Sequence, residues 1–95
     1  MINEDNVIRV AQDSDVNSLA GSIAIRLRLE KVAIVQSIGG NAVNQAIKAI
    51  ISCRRYLAPN NQDLTLTPSF KVLELEGYGE KTAIRFIINL IEKGE

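Results

Sequence analysis

Histidine is absent from the chain, and its absence removes histidine-based triads and the usual zinc sites together. Cysteine occurs once, at Cys53, so no internal disulfide can form, which suits a reducing compartment. Neither sign of charge dominates: 11 basic residues face 11 acidic ones, for a net charge of zero. That excludes a generic polycation, because counterion release needs clustered lysine and arginine, but it leaves room for a local basic patch. Aromatics are few, at Tyr56, Phe70, Tyr78 and Phe86, which argues against an extensive base-stacking platform. No basic-then-apolar segment opens the chain as a signal peptide would, and no apolar run approaches the roughly 18 residues of a membrane span. The expectation is a small, soluble, cytoplasmic protein that needs no metal and no cofactor.

The 95 residues are 46% hydrophobic, enough for one domain, residues 1–95, with a single core. Residues 1–6 are polar and acidic and read as a flexible lead-in. Val7, Ile8 and Val10 form a short strand candidate. Gln12, Asp13, Ser14 and Asp15 then supply side-chain oxygens where a helix needs an N-cap. From Val16, Leu19, Ala20, Ile23 and Leu27 recur at three- and four-residue spacing and line one helix face. Ile25 and Leu29 fall roughly opposite, as a second contact surface for self-association or as two exposed aliphatics. Residues 31–37 are continuously apolar over Val32, Ala33, Ile34 and Val35, as in a central strand. Gly39 and Gly40 turn the chain into a helix over 41–57. Its apolar face runs from Ala42 to Leu57, and Asn41, Asn44, Gln45, Lys48, Ser52 and Arg55 form a polar stripe. Pro59, Asn60 and Asn61 stop it.

Beyond Asp63 the period changes to two. Leu64, Leu66, Pro68, Phe70 and Val72 alternate with polar residues, and Pro68 places this strand at an edge or a bulge. The phase slips at Leu73 and Leu75, which predicts a bulge or bend. A turn over 76–80 follows. The run 82–91 fits strand and helix periods alike, and its β-branched residues decide for strand. The order β-α-β-α-β-β predicts an α+β fold with two helices packed on one face of a four-stranded mixed sheet.

Candidate chemistry is sparse. Cys53 faces the predicted core with no base to activate it. Asp13 and Asp15 could hold a cation, but acids at a helix start are usually caps. Glu74, Glu76 and Glu80 read as a solvated hairpin tip. Gly39-Gly40 carries neither phosphate-loop nor dinucleotide fingerprint, so it reads as a tight corner or as a helix start whose free amides hold a phosphate. A small-molecule enzyme at that corner is the least favoured reading. Lys48, Arg54 and Arg55 project from the second helix, while Lys71, Lys81 and Arg85 belong to the hairpin strands. If they converge, they make a modest, salt-sensitive backbone-binding patch. Tyr78 at the turn is the aromatic placed to reach a base or a partner.

Several stretches together resemble the bacterial stage V sporulation protein S family. They are Val7-Ile8-Arg9-Val10, Asn17-Ser18-Leu19-Ala20-Gly21, and Gln36-Ser37-Ile38-Gly39 with Ala42-Val43-Asn44-Gln45-Ala46-Ile47-Lys48-Ala49. Leu57-Ala58-Pro59 and Glu80-Lys81-Thr82-Ala83-Ile84-Arg85 complete the set. That family is similar to Alba, the archaeal chromatin and RNA-binding protein, and the resemblance implies the Alba-like β-α-β-α-β-β fold. It also implies a non-enzymatic, regulatory protein that forms a homodimer or higher homo-oligomer and binds DNA or RNA with low specificity. Carried over by position, the nucleic-acid-binding candidates are Gly39, Gly40, Asn41, Asn44, Lys48, Lys71, Lys81 and Arg85. The rival reading is a protein-interaction or scaffolding module in sporulation or development. Asp13 and Asp15 in the first loop oppose phosphate, where the resemblance implies lysines.

Overall fold

The structure is a computed structural model and describes residues 4–94. Strand β1 (Ile8–Val10) is followed by helix α1 (Val16–Glu30), strand β2 (Val32–Ser37) and helix α2 (Gly40–Leu57). Two long strands, β3 (Gln62–Leu75) and β4 (Gly79–Glu92), complete the chain. The sheet order is β1-β2-β4-β3; β1 and β2 are parallel and the other pairs antiparallel, so the sheet is mixed as expected.

Asp15 starts α1 by accepting the amides of Asn17 and Ser18 at 2.8 and 3.2 Å. Lys31 ends it in a left-handed conformation, φ 70°, with its amide returned to the Leu27 carbonyl. The helix α2 runs into a 3-10 turn, Ala58–Asn60, and Asn61 reverses the chain with φ 57°. The Asn61 side chain donates to the carbonyls of Lys93 and Gly94, tying this corner to the end of β4.

Register divides the sheet into two faces, because residues directly opposite one another share a side. Ile8, Val10, Ala33, Val35, Phe86 and Ile88 lie on the side that packs with Ala20, Ile23, Ala24 and Leu27 of α1 and Ala46, Ala49, Ile50, Cys53 and Leu57 of α2. Small residues make up most of the buried face of α2 and half of that of α1, and the two helices pack against each other as well as on the sheet. The other side carries Arg9, Ile34, Gln36, Arg85 and Ile87, and among the described residues neither α1 nor α2 lies over it.

The predicted bulge is absent. The β3–β4 pairing keeps one register from Gln62 opposite Glu92 to Leu75 opposite Gly79. The β2 pairing reaches only Ile84, so the hairpin beyond it projects as a free two-stranded arm. With no core beneath the arm, neither of its sides has to be apolar. Leu73 and Leu75 can sit on one side and Phe70 and Val72 on the other without a change of backbone phase. The arm gives the molecule its elongated shape, 51 × 28 × 18 Å. It closes with a β-turn in which Tyr78 donates its amide to the Leu75 carbonyl at 2.9 Å. Gly77 takes the positive φ, 82°, that the third position of a type II turn requires. The expected strand over 82–91 is part of β4, and Pro68 lies on the edge strand β3, where no neighbour needs its missing amide.

Of the expected lead-in, residues 1–3 lie outside the described residues. From Glu4 to Asn6 the chain forms a 3-10 turn, and Glu4 reaches the helix-free side of the sheet at Arg85.

Candidate functional site

One end of the sheet collects the elements on which the sequence places most of its candidates. Val10 ends β1 opposite Ser37, Ser37 ends β2 opposite Ile84, and the hairpin arm continues past both. The loops entering α1 and α2 therefore leave the sheet side by side at the root of the arm. Gln45 of α2 donates to the Ser14 carbonyl at 2.8 Å, clipping the first loop to the helix. Within that loop Ser14 Oγ accepts the Ala11 amide at 2.9 Å. Gln12 and Asp13 face Asn41, Asn44 and Gln45 across a shallow cleft. Gly39, Gly40 and Asn41 line the adjoining one.

The two glycines have different reasons to be there. Gly39 has φ 90° and ψ 152°, a backbone state that side-chain-bearing residues rarely adopt. Gly40 has no such requirement and opens α2. No side chain caps this helix, so its first amides face outward with the partial positive charge of the helix start. Asn41, Asn44 and Lys48 are exposed along the same helix. Asp13 places a carboxylate across the cleft from the two asparagines, so the field there is mixed.

The arm lysines do not join that cleft. Lys71 stands opposite Ala83 and Lys81 opposite Leu73, positions that alternation assigns to the helix-free side. Both are exposed. The candidates thus form two groups, Gly39 to Lys48 on the helix side and Lys71 with Lys81 on the other.

Arg85, expected to contribute from the hairpin, lies in the body of the sheet opposite Gln36 and is only 4% exposed. Its Nε donates to Gln36 Oε1 at 2.7 Å, and its two terminal nitrogens donate to the Glu4 carboxylate at 3.1 and 2.5 Å. Sequence reasoning missed Glu4 and Gln36. An arginine flanked by Ile84 and Phe86 signals that it points away from the core, but not that the chain start folds over it.

Elsewhere two ionisable groups are set by their surroundings. Arg54 forms a two-pronged pair with Asp63, 2.9 and 3.0 Å, joining the end of α2 to the start of β3. That hydrogen bonding, helped by the Leu64 amide, holds the Asp63 carboxyl down at about 2. Burial pushes the Cys53 thiol up to about 11, so it stays protonated and inert. Among the described residues no group of three or more His, Cys, Asp or Glu side chains could hold a metal ion. Nor is any helix among them long and apolar enough to cross a membrane. On the outer side of α1, Ile25 and Leu29 are 58% and 77% exposed.

The backbone is similar to that of Alba from Thermoplasma volcanium, with a TM-score of 0.58 at 14% identity, over 90% of this chain and 98% of that one. At that identity the likeness is one of fold, and it confirms the Alba-like architecture. The sequence itself is more specific, for the family described as Stage V sporulation protein S (SpoVS) matches residues 6–91, and the chain belongs to that family.

Proposed function

We propose that this sporulation-family protein is a non-enzymatic regulator that binds nucleic acid in the cytoplasm by low-specificity contact with the phosphate backbone. The observation that carries this reading is the gathering of the Gly39 turn, the uncapped start of α2 and the root of the projecting arm at one end of the sheet. Free helix amides and exposed cations are the groups that position a phosphate chain. Gly39, Gly40, Asn41 and Asn44 supply the first contact and Lys48 lies two turns along the helix, while Lys71 and Lys81 offer a separate set of cations on the other side of the sheet. No constellation of side chains here reads base edges. Asp13 in the neighbouring loop weakens the attraction, so binding is modest.

Fluorescence anisotropy against short RNA, single-stranded DNA and duplex DNA across a salt series tests the reading. Affinity should fall steeply with salt, and Lys48→Glu should weaken it by about tenfold, as expected for reversing a charge at one phosphate contact. A flat titration with all three at low salt would remove nucleic acid from the function. The exposed Ile25/Leu29 pair favours a second component, association of the chain with copies of itself through α1.

A further inference from the structure

Arg85 is a cation buried in the middle of a sheet face that, among the described residues, neither α1 nor α2 covers. Register places Arg9, Gln36, Arg85 and Ser69 in one row across the four strands, all on that face. Lys71 is the next residue along β3 on the same side. Into the centre of the row the chain inserts its own carboxylate. Glu4 meets both terminal nitrogens of Arg85 while Gln36 takes the third donor. The Arg85 hydrogen bond, with the nearby charges of Arg85, Lys71 and Arg9, holds the Glu4 carboxyl below its ordinary range.

Two features mark Glu4 as a replaceable occupant. The two-pronged geometry it satisfies is one that a phosphate presents equally well. It also belongs to a three-residue 3-10 turn ahead of β1, with its side chain 53% exposed, whereas the Arg85 side chain is 5% exposed. Exchanging carboxylate for phosphate keeps the guanidinium paired, so neither state leaves an uncompensated buried charge.

We propose that Arg85, flanked by Arg9 and Lys71, is a phosphodiester site on the helix-free face of the sheet, and that Glu4 is an internal competitor which the backbone of single-stranded nucleic acid displaces. This rests on the nucleic-acid reading above and adds to it a second site and an intramolecular brake. A single strand is the occupant because Arg85, 4% exposed with Glu4 seated, marks a site in the body of the sheet and not on the projecting arm. A flexible chain can bend one phosphate into it, whereas a duplex is stiff over about 150 base pairs. The closed form taxes affinity by the fraction of molecules in which Glu4 is seated.

Anisotropy with short oligouridylate on the intact chain is the test. Glu4→Gln removes the competing charge and should tighten binding about five- to tenfold. It should also steepen the dependence on log salt by about 0.7 for the added phosphate contact. Arg9→Gln and Lys71→Gln, both at exposed positions, should take that gain back in the Glu4→Gln background. In the wild-type chain the Arg85 Nε–H resonance should move on saturation with oligouridylate. A Glu4→Gln protein that binds no tighter, or an Arg85 resonance that stays still at saturation, overturns the proposal. If Lys48→Glu still weakens binding in that case, the broader reading stands without it. If the wild-type chain binds no oligouridylate at low salt, this proposal falls, and the broader reading falls with it only if single-stranded and duplex DNA fail to bind as well.

Discussion

Asp63 ties a titrating group to stability. Its carboxyl sits at about 2 against an ordinary 3.8, because Arg54 grips it with two hydrogen bonds and the Leu64 amide adds a third. A depressed carboxyl contributes stability that is fully present above its unfolded value and is lost as pH falls through the folded one. The contribution of this pair should therefore vanish between pH 3.8 and about 2. Urea midpoints of the wild type and Asp63→Asn should differ above that window and converge below it. A gap that persists at the acid end would show that the asparagine disturbs packing rather than removing an ion pair. Arg54 was legible in the sequence only as a cation projecting from the second helix. Its partner lies beyond the corner at 58–61, and nothing in the spacing of the two predicts that the chain brings them together.

At the scale of elements, the helix α2 shows what periodicity can and cannot specify. Its buried positions Ala42, Ala46, Ala49, Ile50, Cys53 and Leu57 are among those the spacing selects, and Val43 and Ile47, which it also selects, are partly buried against the core. Ile51, by contrast, is 57% exposed, an aliphatic on the polar side that the pattern did not flag. Ala46 and Ala49 are fully buried where α2 packs on α1 and the sheet, and a larger side chain at such a position has to displace its neighbours. Ala46→Leu, at a fully buried position, should cost about 1–3 kcal/mol by overpacking, measured by urea denaturation. A neutral result would mean that α1 and α2 separate more easily than their buried alanines imply. In the hairpin the same logic of alternation misled. The slip from Val72 to Leu73 reads as a bulge only if one face must be buried, and the arm past Ile84 has no core to bury against. Periodicity reports burial first and backbone geometry only through it.

For the whole molecule, a net charge of zero hides an arrangement. The order of elements, the single core and the central, apolar β2 were readable because each follows from local spacing. The distribution of cations between two sheet faces was not, because it depends on the β2–β4 register and on the chain start folding back to Arg85. The same limit applies to Ile25 and Leu29, where spacing shows that they leave the core but not what meets them. In the folded chain they stand one turn apart on the outer side of α1, on the exposed flank left when Ile23, Ala24 and Leu27 turn inward. If a second α1 packed on them, two aliphatics that exposed and adjacent on one helix face would leave water together, each contributing about 1–2 kcal/mol against the entropic cost of association. A chain without net charge adds little long-range repulsion to oppose that association. Ile25→Asp places a charge in the middle of the pair without touching the core. It should shift the sedimentation profile toward the monomer while leaving the urea midpoint, extrapolated to low protein concentration, within about 0.5 kcal/mol of the wild type. An unchanged profile would take this face out of the interface.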